Sequence, residues 1–297
     1  MTETAKAPVR CGLSGTALKY IACITMLIDH IGASCIEAGV LLPALAAGAA
    51  SCGGIPVSTL LAADRVLRYI GRLAFPIFCF LAVEGFLHTH DVKKYVRRLL
   101  LFGLLSEVPF DLAFFRTPFA PQHQNVYWTL ALGVLAMAGL KRFEKENGLP
   151  GWQGLVWAGG CAALALAANT DYNAIGVIII CALYLTRTNR KRQCIVGAVL
   201  FAFEYTAPLA ALLACTDYNG IGVFIICALY LTRGDRKRQC IVGALLFLFE
   251  LTAPLAFVLV WFYNGQRGAC SPLQKKAFYW FYPVHLLVLA GITNLLL

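Results

Sequence analysis

The chain has 297 residues, 60% of them hydrophobic and only 13% charged, with a mean hydropathy of +0.72. A soluble domain of this size is nearer half apolar and about a quarter charged, so the composition excludes an ordinary water-soluble enzyme. The formal net charge of +10 does not point to nucleic acid, because the basic residues gather in short loops between apolar blocks, as cytoplasmic loops of membrane proteins do.

The apolar residues fall in blocks near the length that crosses a bilayer as a helix. They predict an all-α, polytopic transmembrane bundle of about ten helices, forming one domain over residues 1–297. The spans are 18–40, 68–88, 95–115, 125–141, 152–169, 173–187, 193–214, 219–233, 239–262 and 277–296. Helices are the expected form, because an open sheet cannot satisfy its backbone in lipid. The polar opening segment predicts no cleavable signal peptide, so the first span acts as a permanent anchor. Of the twelve cysteines none forms a CxxC pair, and most, such as Cys23, Cys79, Cys181 and Cys227, sit in apolar stretches. That predicts neither a disulfide framework nor a metal site.

The first span carries Asp29 and His30 near its middle. A histidine there can act as a base near neutral pH, and a carboxylate can fix its tautomer. Neighbours on a helix point about 100° apart, so a direct pair between the two is not guaranteed. The bland reading is helix–helix hydrogen bonding. Residues 43–66 are Gly/Ala-rich and read as a loop with a short helix at most. The second span opens with Arg65, Arg68 and Arg72 in one stripe, suited either to gripping phosphate or carboxylate or to snorkelling at the interface. Pro76 predicts a kink. Glu84 and His88 share a face at the other end, as a structural pair or as the rim of a cavity.

The third span places Glu107 and Asp111 four apart around Pro109. Two carboxylates on one face repel unless a cation or proton intervenes, which predicts an arginine partner from the second span. At its start, Arg97 and Arg98 form a basic mouth. His123 and Asn125 open the fourth span, and helix capping alone would justify Asn125.

A tandem repeat follows. Residues 170–215 and 216–261 match at 35 of 46 positions, which points to a recent duplication of a two-helix hairpin. Two spans per unit predict that both copies enter the membrane in the same direction, unlike the inverted repeats of many transporters. Each copy opens with TDYN, where Asp171 or Asp217 reads first as a helix cap, and each holds a deeper carboxylate, Glu204 or Glu250. The last span holds His285 just after Pro283, behind aromatics that suit a membrane interface. Basic segments at 88–98, 141–145, 187–192 and 233–238, taken as cytoplasmic, put both termini inside. The loop at 265–276 disagrees, carrying Arg267, Lys275 and Lys276 on the wrong side by this count. Either the span before it is broken at Pro254 and re-entrant, or the count is off by one. Taken together, His30, the arginine stripe and the Glu107/Asp111 pair are expected to face one cavity.

In this order, LKYIACITMLIDHIG, the block from Arg68 to Phe114, HQNVYWTLALG, TDYN, FYNGQRG and FYPVHLL resemble the TraX family over nearly the whole chain. The family is named for a conjugation-associated membrane protein that acetylates the N-terminus of F-type pilin, and it is similar in outline to the multi-spanning membrane acyltransferases. The resemblance implies an acyltransferase using acetyl-CoA, with His30 as base and no metal. In that reading Asp29, Glu107 and Asp111 serve the catalytic centre. Arg68, Arg72, Glu84, His88, Arg97, Arg98, Asn125, Asp217 and His285 serve substrates, with Arg97 and Arg98 better placed for CoA. The acceptor stays open: a small amine, a pilin-like peptide N-terminus or a glycan hydroxyl. The family's hairpin occurs once and here occurs twice, so Asp171 and Asp217 are alternatives, with Asp217 preferred because its copy runs directly into FYNGQRG. The alternative function is a proton-coupled transporter or channel, since buried carboxylates and histidines also suit proton relays.

Overall fold

A computed structural model describes residues 12–146, 148–213 and 252–296. Ser14 caps α1 (Gly15–His30), accepting from the backbone N–H of Ala17 at 3.2 Å. The helix widens immediately after His30 into a π-helical segment, Ile31–Leu41, and ends in the short α2 (Leu42–Ala46). A small antiparallel ribbon, β1 (Ser51–Cys52) with β2 (Ile55–Pro56), turns the chain into α3 (Val57–Gly71). The stretch read as a loop is thus largely helical, since its alanines and leucines favour helix and Pro56 stands just before α3.

The span expected at 68–88 is two helices, α3 and α4 (Ala74–Leu87), broken at Arg72 and Leu73. The proline ring clashes with the carbonyl four residues earlier, and for Pro76 that residue is Arg72. Among the described residues three stretches are long and apolar enough to cross a membrane: Gly15–Ala46, Val57–Leu87 and Pro272–Leu295. Between them lie α5 (Val92–Phe114), capped by Asp91, α6 (Val126–Arg142), capped by Asn125, α7 (Trp152–Ala167), α8 (Asn173–Leu185), α9 (Arg190–Leu213) and α10 (Thr252–Trp261). The last helix is α11 (Pro272–Leu296).

The core is a continuous cluster in which Ile77, Phe80, Val83 and Phe86 of α4 meet Val134 and Met137 of α6 and Ile180 and Leu183 of α8. Lipid tails are as apolar as these side chains, so close packing rather than escape from water holds the helices. Glycines allow it: a Cβ on Gly133 would run into Ile180, and one on Gly139 into Trp157.

Contacts between loops define two faces. On the first, Arg187 pairs with Glu144 at 2.6 Å, Arg190 approaches Glu84 at 3.5 Å, and Arg267 donates to the backbone carbonyl of His88 at 2.8 Å. The loop 265–276 therefore lies with the other basic loops, which removes the conflict in the charge pattern. On the opposite face the strand-like stretch at Gln124 pairs with Thr170. The start of α1 is tied to the first face by Leu13 N–H to Phe262 C=O at 2.8 Å and Gly15 N–H to Gln266 C=O at 2.9 Å.

Two observations bear on the expected directions of the termini and of the repeat copies. Helices α1 and α11 run parallel, with Tyr20 against Phe278 at one end and Ser34 against Thr293 at the other. The described ends of the chain therefore lie on opposite faces. Helices α9 and α10 carry the same TAPLA sequence from the two copies, yet they pack antiparallel. Arg190 covers the Tyr263 ring just past the end of α10, while Phe201, further along α9, meets Phe257 further back. The remainder of the second copy, with Asp217 and Glu250, lies outside the described residues.

Candidate functional site

Three clusters hold the polar groups that the sequence singles out. The first is at the widening of α1. Nδ1 of His30 lies 2.6 Å from Nε2 of His285, and the two rings stack with centroids 4.9 Å apart. Nδ1 of His285 lies 2.7 Å from the Phe281 carbonyl, one turn earlier on α11. A carbonyl only accepts, so Nδ1 of His285 carries the proton; its Nε2 then accepts from Nδ1 of His30 when both rings are neutral. That leaves Nε2 of His30 as a bare lone pair. The Phe114 and Tyr282 rings meet the His30 ring edge to face. Asp29 pairs with α3. Its carboxylate receives Arg68 at 2.5 Å from α3, where Gly71 leaves no side chain to collide with it. Arg72 lies over the Tyr69 ring at 4.9 Å.

The second cluster is at the face opposite the basic loops. Asn125 caps α6 through Oδ1 to the Tyr127 N–H at 3.0 Å, and its amide donates to Glu107 at 2.7 Å and to the Gly103 carbonyl at 2.8 Å. The indole N–H of Trp128 also donates to Glu107. Asp111, only 3% exposed, accepts from the Ala120 N–H at 2.7 Å through one oxygen, and the other has no partner. The carboxylates thus find amide, indole and backbone donors rather than the expected arginine. His123 lies 3.8 Å from Asp171 in the adjoining loop, and that carboxylate raises the imidazole pKa above its ordinary value. Asp171 does not cap α8. The residue before that helix is Tyr172, left-handed at φ 64°, with its ring stacked on Phe75.

The third cluster is at the basic face. Glu84 takes Arg190, and the Glu84 backbone carbonyl meets Nδ1 of His88 at 2.8 Å. Burial, with Glu84 beside it, pushes the Tyr263 phenol up to about 12, so it stays a neutral donor. Arg98 covers the Tyr279 ring at 5.4 Å, with Arg97 preceding it on α5.

The structure therefore brings His30 and His285 together, and Asp29 with Arg68. It turns Glu107, Asp111 and Asn125 toward α6, and it leaves Glu84, His88 and Arg98 at the basic face. The first two clusters adjoin, because Asp171 lies close enough to act electrostatically on both Asp29 and the Tyr282 beside His30. Sequence reasoning missed Trp128, Tyr282, Arg190 and Tyr263. Arg190 looked like one basic loop residue among many, and the aromatics like ordinary membrane-interface residues. Asp217, the preferred repeat aspartate, lies outside the described residues.

The family described as TraX protein matches residues 14–293 of the chain. The chain is also 42% identical over 84 residues to the probable fimbrial assembly protein FimC, serogroup H1, of Dichelobacter nodosus. That stretch makes up 24% of this chain and 32% of the relative, so the chain spans about a third of that protein's length. No solved structure matches.

Proposed function

This chain belongs to the TraX family, and we propose that it is an integral membrane acyltransferase that moves an acetyl group from acetyl-CoA to an amine or hydroxyl. The observation that supports this best is the oriented pair of histidines. A bare, fixed imidazole nitrogen at a helix irregularity is what a general base requires, and π-helical segments are concentrated at functional sites. Nε2 of His30 takes the proton from the acceptor as its nitrogen or oxygen attacks the thioester carbonyl. The new C–N or C–O bond forms, the C–S bond breaks, and the leaving thiolate takes that proton back from the imidazolium. His285, bonded to the Phe281 carbonyl, holds the His30 tautomer through this cycle.

Asp29 steadies Arg68 beside the pair. The basic face, taken as cytoplasmic, admits the anionic donor, and the acceptor arrives from the other side, near His123 and Asp171. The fimbrial name belongs to the relative, and it makes pilin-like N-terminal peptides the first acceptors to try. The test is the purified protein with acetyl-CoA and a panel of peptide, amine and hydroxyl acceptors, scored by acceptor-dependent release of free CoA. Replacing His30 with alanine should lower turnover by about 10²- to 10⁴-fold. No release with any acceptor, accompanied by solute flux in proteoliposomes lacking acetyl-CoA, would favour transport instead.

A further inference from the structure

A cavity of about 390 Å³ opens at the basic face, lined by Arg190, Trp261, Tyr263, Asn264 and Gly265. Its size suits a small-molecule site, and the histidine pair does not use it. Arg190 is not a snorkelling side chain reaching into water. Its guanidinium lies 4.7 Å from the Phe80 ring centre and 5.1 Å from that of Tyr263, and it is steadied by Gln193 at 2.9 Å. Its contact with Glu84 is long, at 3.5 Å, so an anion can compete for that donor. Arg267 stands close by, bonded to the His88 carbonyl. The wall thus offers a planar cation for phosphate and an indole for an aromatic base.

The start of α1 marks the level of this loop, because the Gly15 N–H bonds the Gln266 carbonyl. His30 is fifteen residues further along, or ~22 Å at 1.5 Å per residue. A ligand that meets both the cavity and the base must be long, with its phosphates at one end and its reacting group at the other. We infer that this cavity docks the phosphorylated nucleotide end of the acyl donor, which excludes short donors such as acetyl phosphate. The inference rests on the acyltransferase reading and assigns the nucleotide to Arg190 and Trp261 rather than to Arg97 and Arg98. The lining is drawn from both repeat copies: Arg190 from the first and Trp261 from the second, where the first copy has Cys215.

The experiment measures calorimetric binding of CoA and of adenosine 3′,5′-bisphosphate to the full chain in nanodiscs, alongside turnover with each donor. Wild type should bind both ligands and reject acetyl phosphate as a donor. Trp261→Cys installs the residue the other copy carries at that place, so it should fold. Losing one aromatic stacking partner should weaken both ligands by about tenfold, and Arg190→Gln should weaken them at least as much. His30→Ala should bind the nucleotide as wild type does. Wild-type affinity in Trp261→Cys and Arg190→Gln, with the loss found instead in Arg97→Ala/Arg98→Ala, overturns the site. Continued turnover in that case leaves the acyltransferase reading standing. Absence of both CoA binding and turnover in wild type overturns the reading beneath it.

Discussion

The histidine pair has a direction built into it. The Phe281 carbonyl fixes the proton on Nδ1 of His285, and His285 fixes the proton on Nδ1 of His30. If the chain is the acyltransferase proposed above, removing His285 should therefore harm catalysis by freeing the ring of His30, not by removing a group that touches substrate. His285→Phe is expected to lower kcat by roughly 10- to 100-fold, the factor a lost oriented hydrogen bond of about 1–3 kcal/mol gives. His285→Gln, whose amide oxygen can still accept from Nδ1, should recover part of that. Equal losses in both variants would make His285 a packing residue only. The loop histidine makes a second residue-scale prediction. Asp171 raises the His123 pKa above its ordinary value near 6.5, so the pair stabilises the fold fully below about pH 6.5 and loses this as pH rises through the raised value. Both side chains are about a third exposed, which limits the effect to about 1 kcal/mol or less. The difference in melting temperature between wild type and Asp171→Asn should shrink as pH climbs. An NMR titration of His123 with a midpoint at or below 6.5 in wild type would contradict the assignment.

At the level of elements, the site depends on how closely α3 approaches α1. Gly71 lies against Asp29, and a Cβ there would meet the Asp29 side chain, while Gly32 makes the reciprocal close contact with Asp64 and Arg68. Gly71→Ala should push the two helices apart and cost about 1–3 kcal/mol of stability. It should also break the Arg68–Asp29 pair, which would appear as lost activity in a protein that still inserts. Full activity in that variant would mean the pair does not support the site. Helix positions were largely legible in the sequence, because a run of apolar residues bounded by Ser14, Asp91 or Asn125 carries its own caps and length. The break before Pro76 was legible as a kink but not as two helices. The widening after His30 was not legible at all. IGASCIEAGVL contains nothing that specifies π-helical bonding, which depends on what packs against it: Asp64, Leu67 and Arg68 around Gly32, and Thr293 of α11 against Gly39.

Across the whole molecule, the illegible part is which distant segments meet. His30 and His285 stand 255 residues apart, and no local pattern links them. The repeat carries the same lesson further. Its two copies are nearly interchangeable as sequence, but the described bundle uses parts of each. The first copy supplies Asp171 opposite His123, the core helix α8 and the first half of α9. The second supplies α10, whose Phe257 fills the space beside Gly197. Thr206 and Thr252 are one period apart, so deleting 206–251 restores a single unit that keeps every one of these packed parts. That deletion should leave an inserted protein with the histidine pair intact. A sharper test compares equivalent glycines. A Cβ at Gly197 would run into the Phe257 ring, so Gly197→Leu should destabilise the bundle by about 1–3 kcal/mol, the usual penalty for overpacking. Gly243 is its counterpart in the second copy. If the first copy holds the core position, Gly243→Leu should leave the melting temperature within a degree or two of wild type. The reverse result would put the second copy in the core. Equal losses from both changes would mean that the two copies share the position, each packed in part of the population, and the single assignment of Asp171 to the site would then fail with it.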